Sequence, residues 1–151
     1  MPDSAAKPSA AVTIEEIMTK DTVRVWPELK LLEVIERMIQ QQVSGVAVVD
    51  SMDRLLTMIG EGDVLRLAAS EGLLTTIAHC LPKLKKPAEL ITLARHAQFT
   101  DAYRLFLKNN IHRIPVIDSR GTLLGMVTRS LVLRLFVESH HGKKIPDKPV
   151  R

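Results

Sequence analysis

Aromatic residues are scarce in this chain, with one Trp, one Tyr and three Phe among 151 residues. That leaves too few rings for a nucleic-acid surface built on base stacking, and it means the core must be aliphatic. Cysteine is scarcer still. Cys80 stands alone, so no disulfide can close within the chain, and a reducing compartment, the cytoplasm, is expected. No apolar run approaches the length a bilayer demands, so no membrane-spanning helix is expected. The first stretch of chain contains Pro2, Asp3, Lys7 and Pro8 without a long apolar run, and does not read as a secretory signal. Neither G-x-x-x-x-G-K-[ST] nor G-x-G-x-x-G occurs. His79 and Cys80 are adjacent rather than spaced as ligands, and His140 and His141 lie near the end, so no metal site and no required cofactor is expected. Glu61 and Asp63 are paired carboxylates, but no nucleophile, base or metal set surrounds them, so no enzyme is expected either.

What is present is a soluble composition, 46% apolar and 25% charged, with a net charge of +4. The excess of positive charge suits anions, and with so few aromatics it suits small phosphorylated ligands better than nucleic acid.

The dominant pattern is an internal repeat. Shifted so that Gln41 falls on Asn109, QQVSGVAVVDSMDRLLTMIGEGDVLRL (41–67) matches NNIHRIPVIDSRGTLLGMVTRSLVLRL (109–135) without a gap, and ten of the 27 positions are identical. Upstream, at the same offset, Val34, Ile35, Met38 and Ile39 fall on Ala102, Tyr103, Phe106 and Leu107. Both sets have the spacing of an amphipathic helix. Val23 and Val25 fall on Ile91 and Leu93, alternating as a short strand does.

Each repeat therefore reads as βαββα. The first has a strand at 22–25, a helix at 31–42, strands at 46–49 and 55–59, and a helix at 62–70. The second has a strand at 90–94, a helix at 99–110, strands at 114–117 and 123–127, and a helix at 129–138. Asp50-Ser51 and Asp118-Ser119 enter polar turns between the paired strands. The strands are β-branched with little alternation, which implies burial on both faces. A unit of about 50 residues is marginal alone. The expected fold is thus an α/β, α+β sandwich of tandem repeats with pseudo-twofold symmetry. The expected division is a disordered 1–12, a first repeat at 13–71, a linker at 72–87, a second repeat at 88–138 and a basic mobile tail at 139–151. Thr13-Ile14-Glu15-Glu16 looks like a capping box opening a short helix through Met18. Leu73–Leu81 could form a linker helix ended by Pro82.

Two stretches, VSGVAVVD (43–50) and IHRIPVID (111–118), resemble the signature of the cystathionine-β-synthase (CBS) domain family. Each precedes a segment similar to the family's G-h-h-T/S-x-x-D and then a helix, and IMTKDTVRV (17–25) looks like the usual entry into a first repeat. The resemblance covers about residues 14–138. It implies a CBS-domain pair that binds an adenosine-containing ligand in a cleft between the repeats. AMP, ADP or ATP would be the regulatory ligand, with S-adenosylmethionine ranked behind them. It also implies a homodimer that passes its signal to a separate effector protein.

On that resemblance Asp63, in the loop that Gly60 opens, is the ribose ligand. From the residues alone, a carboxylate there can accept two hydrogen bonds from a diol, or serve as an ordinary helix N-cap. His112 and Arg113 are then expected to reach the phosphate, or to form a plain surface pair on a helix-to-strand turn; Arg129 is a further phosphate candidate, and Thr128, a retained part of the signature, is a further ligand-binding candidate. Backbone at Val46, Ala47, Ile114 and Pro115, facing Thr22 and Val23, would flank the base or simply form core. The second repeat departs from the pattern. Leu131 stands where Asp63 stands in the first, whereas Gly125 and Thr128 answer to Thr57 and Gly60. One competent site and one degraded site follow, or none. In the latter case the chain is a structural or dimerisation module acting by protein–protein interaction.

Overall fold

The computed structural model describes residues 12–142. The expectations for 1–11 and 143–151 lie outside the described residues. The elements run α1 (Ile14–Ile17), β1 (Arg24–Val25), α2 (Leu31–Gln41), β2 (Gly45–Val49), β3 (Leu55–Gly60), α3 (Glu61–Glu71), α4 (Ile77–Cys80), α5 (Phe99–Lys108), β4 (Arg113–Ile117), β5 (Leu123–Thr128) and α6 (Arg129–His141). The mixed helix-and-strand fold with small sheets is the one the repeat implies, and β4 and β5 begin and end at the repeat counterparts of β2 and β3. The chain divides into two compact units, each mixing distant segments. One holds Thr22–Ile91 with Ser119–Leu123; the other holds 12–21, Thr92–Asp118 and 124–142.

In the first of these units β1 runs parallel to β2, with Val25 opposite Val48, and β2 runs antiparallel to β3, with Val46 opposite Ile59. Val25, Leu31, Val34, Met38, Val46, Val48, Ile59, Leu67 and Ile77 form the core. Arg24 ties this unit together. Its guanidinium donates to Asp53 Oδ1 (2.9 Å), to the Leu123 carbonyl (3.0 Å) and to Thr22 Oγ1 (2.8 Å). Asp53 holds φ at 62°, and Gly121, its counterpart in the second repeat, holds φ at 84°. Both turns need the left-handed region, which Gly enters freely and Asp tolerates.

In the other unit Leu93 bridges β4 at Val116 in parallel, as Val25 meets Val48 in the first, and Thr19 bridges β5 at Met126. Ile14, Phe99, Ile114, Val116 and Val127 are fully buried here. Phe99, Tyr103 and Phe136, three of the five aromatic residues, pack as one cluster with centroids 5.3–6.2 Å apart.

Each unit is completed by a short helix from outside the βαββα repeat that it closes. α4 docks on the first, with Ile77 N–H donating to the Leu29 carbonyl (2.8 Å) and Ala78 N–H to that of Pro27 (2.9 Å). α1 docks on the other in the same way, through Ile14 N–H to Ala97 (2.8 Å) and Glu15 N–H to Arg95 (3.0 Å). Ala97 and Arg95 are the repeat counterparts of Leu29 and Pro27, so the two docking sites are equivalent.

Several boundaries differ from the expectation. The linker helix begins at Ile77, not Leu73, because the carbonyls of Leu73 and Thr75 accept the first N–H groups of α2, from Leu32 (2.9 Å) and Leu31 (2.8 Å), and so stay extended. Pro82 sits inside a following 3-10 turn, Leu81–Lys83. The strand expected at 90–94 reduces to the bridge at Leu93. α6 continues to His141, where Gly142 at φ 66° closes it. The apolar stripes are wider than the core they serve: Ile39 and Leu107 are 71% and 69% exposed.

The linker is pinned by Glu71, which pairs with Lys83 and lies 3.2 Å from His79 Nε2. The hydrogen bond from Lys83 holds the Glu71 carboxyl below the usual range. A depressed carboxyl contributes stability that is present above its unfolded value and lost as pH falls through the folded one. Lys83→Met should therefore move the onset of acid unfolding to higher pH. An onset identical to wild type by circular dichroism would show that the pair carries no such linkage.

Candidate functional site

α3 and α6 start at equivalent places and solve the same problem differently. A helix N-terminus leaves backbone N–H groups without partners. At α6, Thr128 is the N-cap, and its Oγ1 accepts from Leu131 N–H (3.1 Å). At α3 the equivalent of Thr128 is Gly60, which has no side chain to offer. There Asp63 reaches back instead, its Oδ2 accepting from Gly60 N–H (2.8 Å). Asp63 is therefore the N3 residue of the turn and not its N-cap. The split of the family signature between the repeats is thus partly a matter of capping: each helix keeps one acceptor, at N-cap or at N3.

The Asp63 device recurs. Glu16, Glu33, Glu89 and Asp101 each accept from the backbone N–H of the third residue before them, at 3.0, 2.8, 2.7 and 2.9 Å. Glu16 realises the capping box read from the sequence, and its carboxyl is held low by the Thr13 backbone and hydroxyl bonds. The sequence reading missed the other three, although an acidic residue at the third position of each helix entry is a signal that could have found them.

The described candidate residues fall into two groups. Thr22, Val23, Val46, Ala47, Gly60 and Asp63 lie in the first unit. Ala47 N–H donates to the Val23 carbonyl (3.2 Å), which brings these two together, and Thr22 Oγ1 is taken by Arg24. Val46 and Ala47 are buried, at 1% and 0% exposure, and serve as core here. His112, Arg113, Ile114, Pro115, Thr128 and Arg129 lie in the other unit. Ile114 and Pro115 are buried, and the Pro115 carbonyl accepts from Leu93 N–H (3.0 Å). At the strand end, Arg129 N–H donates to the His112 carbonyl (3.1 Å), and the Arg129 guanidinium donates to His112 Nδ1 (2.5 Å). The counterparts of His112 and Arg129 in the first repeat are Ser44 and Glu61, whose backbone bond, Glu61 N–H to the Ser44 carbonyl (3.2 Å), is the same. So one equivalent position carries acid in the first repeat, Glu61, and base in the second, Arg129, whereas Asp63 answers to Leu131, and His112 and Arg113 answer to Ser44 and Gly45.

An open apolar groove of about 680 Å3 runs between α2 and α3, lined by Ile35, Met38, Ile39, Val43, Val64 and Leu65 among others. Among the described residues no group of His, Cys, Asp or Glu could hold a metal ion, and no helix is long and apolar enough to cross a membrane. Cys80 is buried, and burial raises its thiol above the usual range.

The family model for the CBS domain matches residues 14–70 and 86–138. The chain belongs to the CBS domain family. It is similar to the CBS domain-containing protein CBSX1, chloroplastic, of Arabidopsis thaliana, at 26% identity over 161 positions, covering 89% of this chain and 68% of that protein. Among solved structures it resembles Arabidopsis thaliana CBSX2 in complex with AMP, with a TM-score of 0.72 and 22% identity over 84% of this chain and 97% of that one. It also resembles the CBS domain pair of protein MJ0100 in complex with 5-methylthioadenosine and S-adenosyl-L-methionine, with a TM-score of 0.71 and 20% identity over the same shares.

Proposed function

We propose that the chain is a regulatory sensor of an adenosine-containing ligand of the AMP, ADP or ATP class, and that it catalyses no reaction. Asp63 accepts the ribose hydroxyls, and His112, Arg113 and Arg129 take the phosphate. The observation that carries this reading is the different chemistry of the two helix starts: the carboxylate of Asp63 at α3, and the guanidinium of Arg129 beside the imidazole of His112 at α6. A carboxylate suits a diol, a guanidinium beside an imidazole suits a phosphate, and the two repeats supply one of each. The adenosine-type ligands held by CBSX2 and by the MJ0100 pair support the class of ligand. A bound ligand would act by favouring the arrangement it contacts best, and the signal would pass to a separate effector protein in the cytoplasm. Asp63→Ala should weaken AMP binding tenfold or more in calorimetry. If wild type gains no thermal stability from AMP, ADP or ATP, the sensing role is lost.

A second reading, self-association, rests on the exposed apolar residues. Ile39 and Leu65 are 71% and 73% exposed, and their counterparts Leu107 and Leu133 are 69% and 63% exposed. A solvent-facing apolar pair repeated at the same offset fits a partner surface with the same repeat, which a second copy of the chain offers. Leu65→Asp with Leu133→Asp should convert a dimer to a monomer in light scattering at micromolar concentration, with the circular dichroism spectrum unchanged. A wild-type chain that is monomeric at 100-fold higher concentration would dispose of it.

A further inference from the structure

Both oxygens of Asp63 are already engaged. Oδ2 holds the Gly60 N–H, and Oδ1 accepts from Arg66 Nη2 at 2.7 Å. The two side chains differ in their freedom: that of Asp63 is 31% exposed and fixed by the helix start, whereas that of Arg66 is 74% exposed. The guanidinium can therefore leave without loss of packing. The run Val64-Leu65-Arg66-Leu67 recurs as Val132-Leu133-Arg134-Leu135, but the second repeat has Leu131 in place of Asp63, so this pairing belongs to the first repeat alone.

We propose that Arg66 sets the preference of this site for phosphorylated over unphosphorylated adenosine ligands, by occupying Asp63 until a phosphate draws the guanidinium away. The inference rests on Asp63 as the ribose acceptor. A carboxylate oxygen has two lone-pair directions, and a diol arriving at Oδ1 competes with a charged donor for them. Adenosine displaces Arg66 and gives it nothing in return, so it loses the roughly twofold to fivefold that an exposed ion pair contributes to an equilibrium constant. A phosphate offers the freed guanidinium a bidentate partner in place of the carboxylate and recovers that loss. Arg66 is thus a specificity-determining residue.

The test is calorimetry on the full chain with AMP and with adenosine, for wild type and for Arg66→Gln, Asp63→Ala and Arg104→Gln. Arg104 stands to Asp101 as Arg66 stands to Asp63, at 3.6 Å and on another helix, and controls for the loss of one surface charge. Arg66→Gln should tighten adenosine twofold to fivefold and leave AMP about unchanged, so that the ratio of the two affinities falls by the same twofold to fivefold. Arg104→Gln should leave the ratio within twofold of wild type. A ratio that Arg66→Gln leaves unchanged, while Asp63→Ala weakens both ligands, overturns the role of Arg66 and spares that of Asp63. Binding that Asp63→Ala leaves intact, or a wild type that binds neither ligand, overturns both.

Discussion

Replacing Gly125 with alanine should lower the unfolding free energy by about 2–4 kcal/mol, from overpacking and the bonds it disturbs. Gly125 lies in β5, against the segment that carries Met18 and Thr19. A Cβ added there would sit 2.7 Å from Met18 Sδ and 2.8 Å from the Thr19 carbonyl oxygen. Methionine can move, but the carbonyl cannot do so cheaply. Thr19 and Met126 exchange two backbone hydrogen bonds of 2.9 Å each, and pushing the strand back lengthens both. Gly60 provides the contrast. Its φ of −105° suits any residue, and the nearest atom to an added Cβ is 3.8 Å away, so Gly60→Ala should change stability by less than about 0.5 kcal/mol. Urea unfolding of the two variants checks both. A Gly125→Ala midpoint equal to that of wild type would mean that the 18–19 segment does not pack on β5 in solution.

The second large effect belongs to Ile14. Although α1 is a single turn, Ile14 is fully buried, as is Ile77 in α4. Each is the apolar anchor by which its helix closes a unit. Ile14→Ala should cost about 2–5 kcal/mol, the range for a buried large-to-small change, and Ile77→Ala should cost about the same. Phe99 N–H donates to the Val12 carbonyl (2.8 Å), and Thr13 bridges Gln98, so a deletion of residues 12–20 should be worse than either point change. A cost below about 1 kcal/mol for Ile14→Ala, beside several for Ile77→Ala, would show that the two helices are not counterparts.

The internal repeat made the hairpins, both long helices of each repeat and the equivalence of Asp63 with Leu131 legible before any coordinates. What it hid is physically specific. The closing helices break the repeat's offset, which would carry Ile14 onto Pro82 rather than onto its structural counterpart Ile77. TIEEIMTK (13–20) and TIAHCLPK (76–83) share only Thr, Ile and Lys. So short a match at a different offset does not stand out, and α1 looked like a brief prelude to the first repeat rather than part of the unit built around the second. Gly125 was visible as part of a family signature, but the reason for it is the backbone of Met18 and Thr19, near the other end of the chain. At the candidate site, the residue types were legible and their commitments were not. Nothing in the spelling of Gly60-Glu61-Gly62-Asp63 says that one carboxylate oxygen caps α3 while the other holds Arg66. Ile39 and Leu107 were legible as helical apolar positions, but which edge of the stripe faces water depends on how wide the sheet beneath it is.

The exchange of closing helices also sets an order of events during synthesis. Ile14 leaves the ribosome long before Ala97, whose carbonyl accepts its N–H, has been made. At the usual elongation rates the delay is roughly 4–17 s. For that interval an amphipathic turn with a large aliphatic side chain has no surface to cover it, while α4 meets Pro27 and Leu29 as soon as it emerges. The nascent chain thus carries an orphaned plug until the segment around Arg95 and Ala97 is made, which is the stage at which a holding chaperone would have most to bind.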